Sequence, residues 1–163
     1  MTLGNVHFRE GPIEGVLLRA LPCFTDARGW LVELFRQDQL DAGDLPVMAY
    51  VSQTLPGVVR GPHEHRSQAD YFAFVGPGDF KLYLWDTRSD RPTCGNRLSV
   101  VAGESNRLGV LVPPGIVHAY KNVSPVPGLV FNAPNQLYGG WAKKEPVDEV
   151  RHEDLPDSPF VLD

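Results

Sequence analysis

Residues 57–80 read GVVRGPHEHRSQADYFAFVGPGDF, and residues 112–122 read VPPGIVHAYKN. The first stretch carries two histidines, His63 and His65, between glycine-proline turns; the second delivers a third, His118, just after a Pro-Pro-Gly turn. Residues two apart in a strand face the same side, so His63 and His65 can both look into one interior. His118 arrives on a separate strand, and a small barrel is wide enough inside to hold one ligand against such a cluster. Three neighbouring imidazoles with a carboxylate can hold a divalent metal, or they can offer one ring as a base at neutral pH.

Outward from these segments, short apolar runs are separated by turns rich in glycine and proline, 16 and 15 residues respectively, as in a chain of many short strands. Strands are expected over 15–21, 30–35, 47–53, 69–75, 79–86, 98–101, 108–112, 117–123 and 128–132. In the fifth of these, Phe80, Leu82 and Leu84 alternate with Lys81, Tyr83 and Trp85, so one face suits a core and the other an amphipathic lining. Helical periodicity is weak, with short exceptions expected at 36–42 and near 147–152. The pattern predicts an all-β antiparallel jelly roll or barrel with few short helices. It forms a single domain over 1–163, with an N-terminal arm over 1–14 and a C-terminal loop segment over 134–163.

The 163 residues are 42% hydrophobic and 21% charged, an ordinary globular composition. A net charge of -5 argues against non-specific attraction to nucleic acid or an anionic membrane, so an anionic ligand must meet a local cationic patch. No apolar run is long enough to cross a bilayer and the first ten residues lack a signal-peptide pattern, which makes the expected location cytoplasmic. Cys23 and Cys94 lie far apart and read as reduced thiols rather than a disulfide framework.

Both histidine segments resemble the cupin family. Its first motif, a glycine, five residues, His-x-His and then an acidic residue, falls on Gly57, His63, His65 and Asp70. Aspartate stands there in place of the usual glutamate, and the closing glycine is displaced to Gly76 or Gly78. The second motif falls on Pro113, Gly115, His118 and Asn122, without its leading glycine. The resemblance implies a cupin jelly-roll barrel.

A narrower resemblance, from Ile13 nearly to the C-terminus, is to the dTDP-4-dehydrorhamnose 3,5-epimerase family, which acts on nucleotide-linked 4-keto sugars. It is carried by FTDARGWLVELF (24–35), GVVRGPH (57–63), DTRSDRPTCGN (86–96) and VPPGIVHAY (112–120). It implies that His63 is the base that removes a proton beside the ketone, and that Arg60 contacts the diphosphate or the developing enolate. Arg28 and Glu33 would grip the nucleotide, often from a neighbouring subunit, while His65, His118 and Gln53 complete the substrate-binding set. Such chemistry needs a positioned base and cationic or hydrogen-bonding partners, and no metal or other cofactor in principle. A homodimer with exchanged N-terminal strands is also implied.

The sequence departs from that family in three places. No lysine follows the base, and Asp70 in SQADYF stands near its position. NQLYGG replaces a tyrosine pair, leaving Tyr138 as the candidate proton donor. The carboxylate that backs the base is Glu153 or Asp154 in VRHEDLP, with Asp154 carried forward as the catalytic candidate. HEHRSQ also resembles the sugar-nucleotide 3,4-ketoisomerases. Two further alternatives are a metal-dependent cupin using His63, His65, Asp70 and His118, and a non-catalytic nucleotide-sugar-binding cupin. Plainer readings make Arg28 and Arg60 surface ion-pair residues, Asp70 a solvated strand residue, and Trp141, Lys143 and Lys144 a surface loop. His7 and His152 are expected on the surface.

Overall fold

A computed structural model describes residues 7–163; within it the chain forms thirteen strands and three single-turn 3-10 helices. The strands are β1 (Arg9–Glu10), β2 (Leu17–Ala20), β3 (Cys23–Asp26), β4 (Gly29–Val32), β5 (Tyr50–Thr54), β6 (Val59–Glu64) and β7 (Asp70–Phe74). They continue with β8 (Asp79–Asp86), β9 (Asn96–Gly103), β10 (Leu108–Val112), β11 (Ile116–Asn122), β12 (Gly128–Asn132) and β13 (Val150–Arg151). A six-stranded sheet runs β1-β9-β8-β11-β6-β13, a five-stranded sheet runs β2-β10-β7-β12-β5, and β3 with β4 forms a separate hairpin. Apart from the parallel β1–β9 pair, every pairing is antiparallel.

The inner faces of the two sheets meet in one core. Phe72 and Phe74 of β7 and Val110 and Val112 of β10 pack with Phe80, Leu82 and Leu84 of β8 and with Ile116 of β11. This is the expected jelly-roll sandwich, with alternate residues inward. Strand β7 is buried on both faces: Tyr71 and Ala73 point outward beneath Leu21 and Leu111, with Leu34 and Leu40 packed beside them. Tyr71 donates its hydroxyl proton to the Leu34 carbonyl at 2.6 Å.

The outer face of β8 differs from its expected role as an amphipathic lining. Tyr83 and Trp85 form a second buried cluster with Val117, Ala119 and Phe160, because the C-terminal segment folds back over that face. The segment is tied down by Lys81 and Arg97, which bond the Asp163 carboxylate at 2.9 and 2.8 Å.

Two expected helices are corrected. Residues 36–42 break into 3-10 turns at Gln37–Gln39 and Ala42–Asp44. Residues 147–152 instead contain β13, because main-chain pairing with the otherwise open edge of β6 satisfies more donors and acceptors than one helical turn would. The expected strand over 30–35 is half of the β3–β4 hairpin, whose turn is Ala27 and Arg28. No helix among the described residues is long and apolar enough to cross a membrane. Cys23 and Cys94 are both free.

Candidate active site

The site is built on β6 and β11, which pair with His118 opposite His63. Gly61 makes that approach possible. It has φ +83°, and a Cβ there would lie 2.6 Å from the His118 carbonyl oxygen and 3.0 Å from His63 Nδ1. With no side chain in the way, the His63 and His118 rings stand edge to face with centroids 4.4 Å apart. The His65 ring completes the cluster, 5.6 Å from His63 and 5.8 Å from His118. One ligand nitrogen from each ring lies within 4.8 Å of the others.

Asp70 is not a solvated strand residue but the buried acid of the cluster, 1% exposed. Asp70 shares its face of β7 with the core residues Phe72 and Phe74, so it points inward at the start of the strand, beneath the rings. Its Oδ1 accepts from Gln68 Nε2 and Asn132 Nδ2, each at 3.1 Å. Its Oδ2 faces His65 Nε2 at 3.0 Å and His118 Nε2 at 3.5 Å. On their far sides both rings meet backbone carbonyls: His118 Nδ1 donates to Ile116 at 3.0 Å and His65 Nδ1 to Asp148. Carbonyls only accept, so these contacts assign Nδ1–H to both rings and aim both Nε2 atoms at Asp70.

The charge distribution follows from this arrangement. Burial pushes the His63 pKa down to about 2, with His118 and His65 adding to the effect, so His63 is a neutral ring at pH 7. Burial also opposes charge on His65, but the hydrogen bond and charge of Asp70 outweigh it and raise its pKa. Burial likewise works against the Asp70 carboxylate, yet His118 and His65 hold it well below the usual carboxylate range.

The cluster opens into a cavity of about 930 Å³, lined among others by Arg60, His63, His65, Tyr120 and Tyr138. Arg60 spends Nε on Thr54 Oγ1 at 2.9 Å and one Nη2 hydrogen on the Gln53 carbonyl at 2.7 Å, which braces a guanidinium of five donors at the cavity wall. Trp141 sits at the mouth, 79% exposed, on a loop where Ala142 and Lys143 both have positive φ.

His63, His65, Arg60 and Tyr138 line the same cavity, whereas His118, 1% exposed, is packed against the other two rings and does not itself line it. Four other expected residues are not brought there. Gln53 is exposed on edge strand β5, where Tyr50 and Ser52 take the inward positions and alternation turns Gln53 away. Arg28, with 90% of its side chain exposed, bonds Asp26 at the tip of the β3–β4 hairpin, and the exposed Glu33 lies 3.7 Å from Arg36. Asp154 is exposed and outside the cavity lining, whereas Glu153 belongs to it.

The reason for the Asp154 placement is a second correction. His152 is buried rather than on the surface; its Nε2 meets Glu64 Oε1 at 3.1 Å, and its ring packs on Phe160 at 4.8 Å. The chain turns there and carries Asp154 outward. Sequence reasoning missed this contact, although the Glu between the two motif histidines had to face away from them and needed a partner. It also missed Tyr50, whose hydroxyl accepts from Asn132 at 2.7 Å beside Asp70.

A jelly-roll barrel with two imidazoles facing a large cavity and a third buried against them is the architecture of a cupin. The sequence profile of the dTDP-4-dehydrorhamnose 3,5-epimerase family matches residues 10–141. A protein of Haloferax volcanii named probable low-salt glycan biosynthesis epimerase Agl13 is 38% identical over 127 residues, covering 77% of this chain and 81% of that one. The spore coat polysaccharide biosynthesis protein SpsL of Bacillus subtilis is 31% identical over 115 residues, covering 71% and 75%. A crystal structure of a dTDP sugar isomerase from Desulfovibrio desulfuricans G20 superposes with a TM-score of 0.77 at 25% identity, covering 91% of each chain. The chain belongs to the dTDP-4-dehydrorhamnose 3,5-epimerase family, and so to the sugar-nucleotide epimerases, which are isomerases.

Proposed function

We propose that this chain uses His63 as a metal-independent base to remove the proton next to the ketone of a nucleotide-linked 4-keto-6-deoxyhexose. The observation that carries this reading is a neutral imidazole in the wall of a large cavity with a guanidinium on the same strand. A neutral ring can accept a proton, and Arg60 supplies fixed positive charge for diphosphate or enolate oxygens. Tyr138 is the candidate donor on the opposite face of the sugar. Of the two candidate backing carboxylates, Glu153 is the better placed, since it shares the cavity wall with His63.

Arg28 and Glu33 lie outside this chain's own cavity, so the nucleotide-binding role proposed for them would require a second copy of the chain, and we propose a homodimer on that basis. The names of the two similar proteins support a product destined for glycan or polysaccharide synthesis, a pathway stage that suits a cytoplasmic enzyme.

The test is incubation with dTDP-4-keto-6-deoxyglucose in deuterated water, with and without chelator, following deuterium entry by NMR. Entry at C3 and C5 is the expected double-epimerase outcome; entry at C3 alone indicates a single epimerase or ketoisomerase. No entry at either position rules out proton abstraction from that sugar. Substituting His63→Asn should abolish exchange, and retained exchange would remove His63 from the base role.

One observation favours a second reading, a metal-dependent cupin. His118 Nε2 is buried with no hydrogen-bond partner, and both it and His65 Nε2 point at Asp70 Oδ2. Nδ1–H donation to a carbonyl with Nε2 left free is how histidine ligands are commonly oriented. The residues fit a divalent ion held by His63, His65, His118 and Asp70, which would polarise the ketone as a Lewis acid. Loss of exchange in chelator, restored by added metal, would select this reading over the first.

A further inference from the structure

The turn that follows the first two histidines is bonded to one residue far away in sequence. Asp148 lies in the segment that passes the cavity mouth just before β13. Its carboxylate accepts the backbone N–H groups of Arg66 at 3.0 Å, Ser67 at 2.8 Å and Gln68 at 3.0 Å, and the Ser67 hydroxyl at 2.8 Å. The turn after the His-Glu-His sequence is thus wrapped around one carboxylate. The backbone carbonyl of the same residue receives Nδ1–H of His65.

We propose that Asp148 is a positioning residue for the reaction, holding the His65 ring and the Gln68–Asp70 contact in register through these bonds.

Two routes lead from Asp148 to the centre of the site. The direct one is its carbonyl, which fixes the tilt and the tautomer of His65 and so directs Nε2 at Asp70. The indirect one is Gln68, whose N–H is anchored on Asp148 while its side-chain amide donates to Asp70 Oδ1. A residue serving only as a turn cap would use its carboxylate and leave its carbonyl to solvent or to the local backbone. Burial works against charge on this carboxylate, but the N–H groups of Ser67 and Arg66 and the Ser67 hydroxyl outweigh it and hold its pKa down to about 2, so the anchoring bonds are charge-assisted at neutral pH. Ring placement matters because a displacement of about 1 Å at a reacting centre can cost about a hundredfold in rate.

The inference rests on the proton-abstraction reading for its kinetic arm only. Full-length Asp148→Ala and Asp148→Asn variants are compared with the wild type in three measurements: thermal unfolding, nitrogen-15 NMR of the histidine rings, and steady-state turnover of dTDP-4-keto-6-deoxyglucose. Asp148→Ala keeps the carbonyl but removes the carboxylate that ties this segment to residues 66–68, so the hydrogen-bonded Nδ1–H signal of His65, assigned by its loss in His65→Gln, should broaden or shift at temperatures where the protein is folded. Its kcat should fall about tenfold to a hundredfold, with KM changed by no more than about twofold. Asp148→Asn, which keeps one acceptor oxygen and loses the charge, should fall between wild type and Asp148→Ala. It decides the matter if Asp148→Ala does not fold. An unchanged His65 signal, or a rate loss that only tracks the unfolded fraction, overturns the proposal. If the wild type itself turns over no sugar, the kinetic reading fails, while the His65 signal still decides the positioning role.

Discussion

At the scale of single residues, His63 combines accessibility with reluctance to hold a proton. Its pKa is pushed down to about 2 by burial and by two imidazole neighbours, so the ring stays neutral until a counter-charge appears. In the proposed reaction an enolate formed beside it would provide that charge, which would couple proton transfer to the presence of substrate. The geometry behind this rests on Gly61, where both the left-handed backbone and the fixed His118 carbonyl oppose a side chain. Gly61→Ala should cost about 1–3 kcal/mol in denaturant unfolding and should lower deuterium exchange further than the stability loss explains. Gly57→Ala is the control: φ there is +73°, but nothing lies within 4 Å of the added carbon, so strain acts without displacing the rings. Equal stability and activity in wild type and Gly61→Ala would remove this account of how β6 reaches β11. The three motif histidines were legible in the sequence because His-x-His and the Pro-Pro-Gly-x-x-His turn constrain where strands can point. Asp70 was legible as the acidic member of the motif but not as a buried group, since its burial depends on sharing the inward face of β7 with Phe72 and Phe74. His152 was not, because its partner Glu64 lies 88 residues away.

At the scale of elements, the barrel strands were readable wherever alternation or a bounded apolar run marked them. The spans 79–86, 108–112 and 128–132 match β8, β10 and β12 end to end. Strand β6 was not among the expected strands, although His63 within it was placed facing the interior, because Gly61 and Pro62 interrupt the pattern a strand would show. Strand β13 has two residues and exists only as a pairing with β6, so no local signal could announce it. The segment that follows β13 acts as a latch on β8, and its terminal contact is electrostatic. The Asp163 carboxylate is bonded to Lys81 and Arg97, and the Lys81 bond is the main cause holding its pKa down to about 2. A depressed carboxylate pKa means the contact stabilises the fold above the unfolded value near 3.8 and is lost as pH falls toward about 2. Amide protection factors, which correct for the slowing of intrinsic exchange with falling pH, should therefore be retained at pH 5 and fall between about pH 4 and 2 at Leu155 and Ser158, whose N–H groups are hydrogen-bonded. In Asp163→Asn the protection should be weaker at pH 5 and flat through that window. A pH-independent tail in the wild type would show that Phe160 packing alone holds the latch.

At the scale of the whole molecule, a single chain leaves apolar side chains exposed on one hairpin and one sheet edge. The β3–β4 hairpin carries Phe24, Trp30 and Leu31 at 55–60% exposure, and edge strand β5 leaves its outer side unpaired with Val51 at 59%. Unpaired edges and exposed aromatic hairpins invite association, and a two-fold pairing covers both at once. The hairpin also holds Arg28 and leads directly into Glu33, the expected nucleotide contacts that lie outside this chain's own cavity. Exchange of the hairpin between two copies would deliver them to the partner's cavity, which makes a sharp prediction. Arg28→Ala and His63→Asn should each be close to inactive alone at low substrate. Mixed by co-unfolding and refolding, half of the dimers contain one of each chain, and each of these has one site with no defect and one with both. About a quarter of wild-type turnover should return, with wild-type KM at the active sites. If Arg28 instead served the cavity of its own chain, every site in every mixture would keep one defect and no activity would return. Sedimentation or light scattering on the wild type provides the companion measurement, and a monomer at micromolar concentration would exclude the shared site.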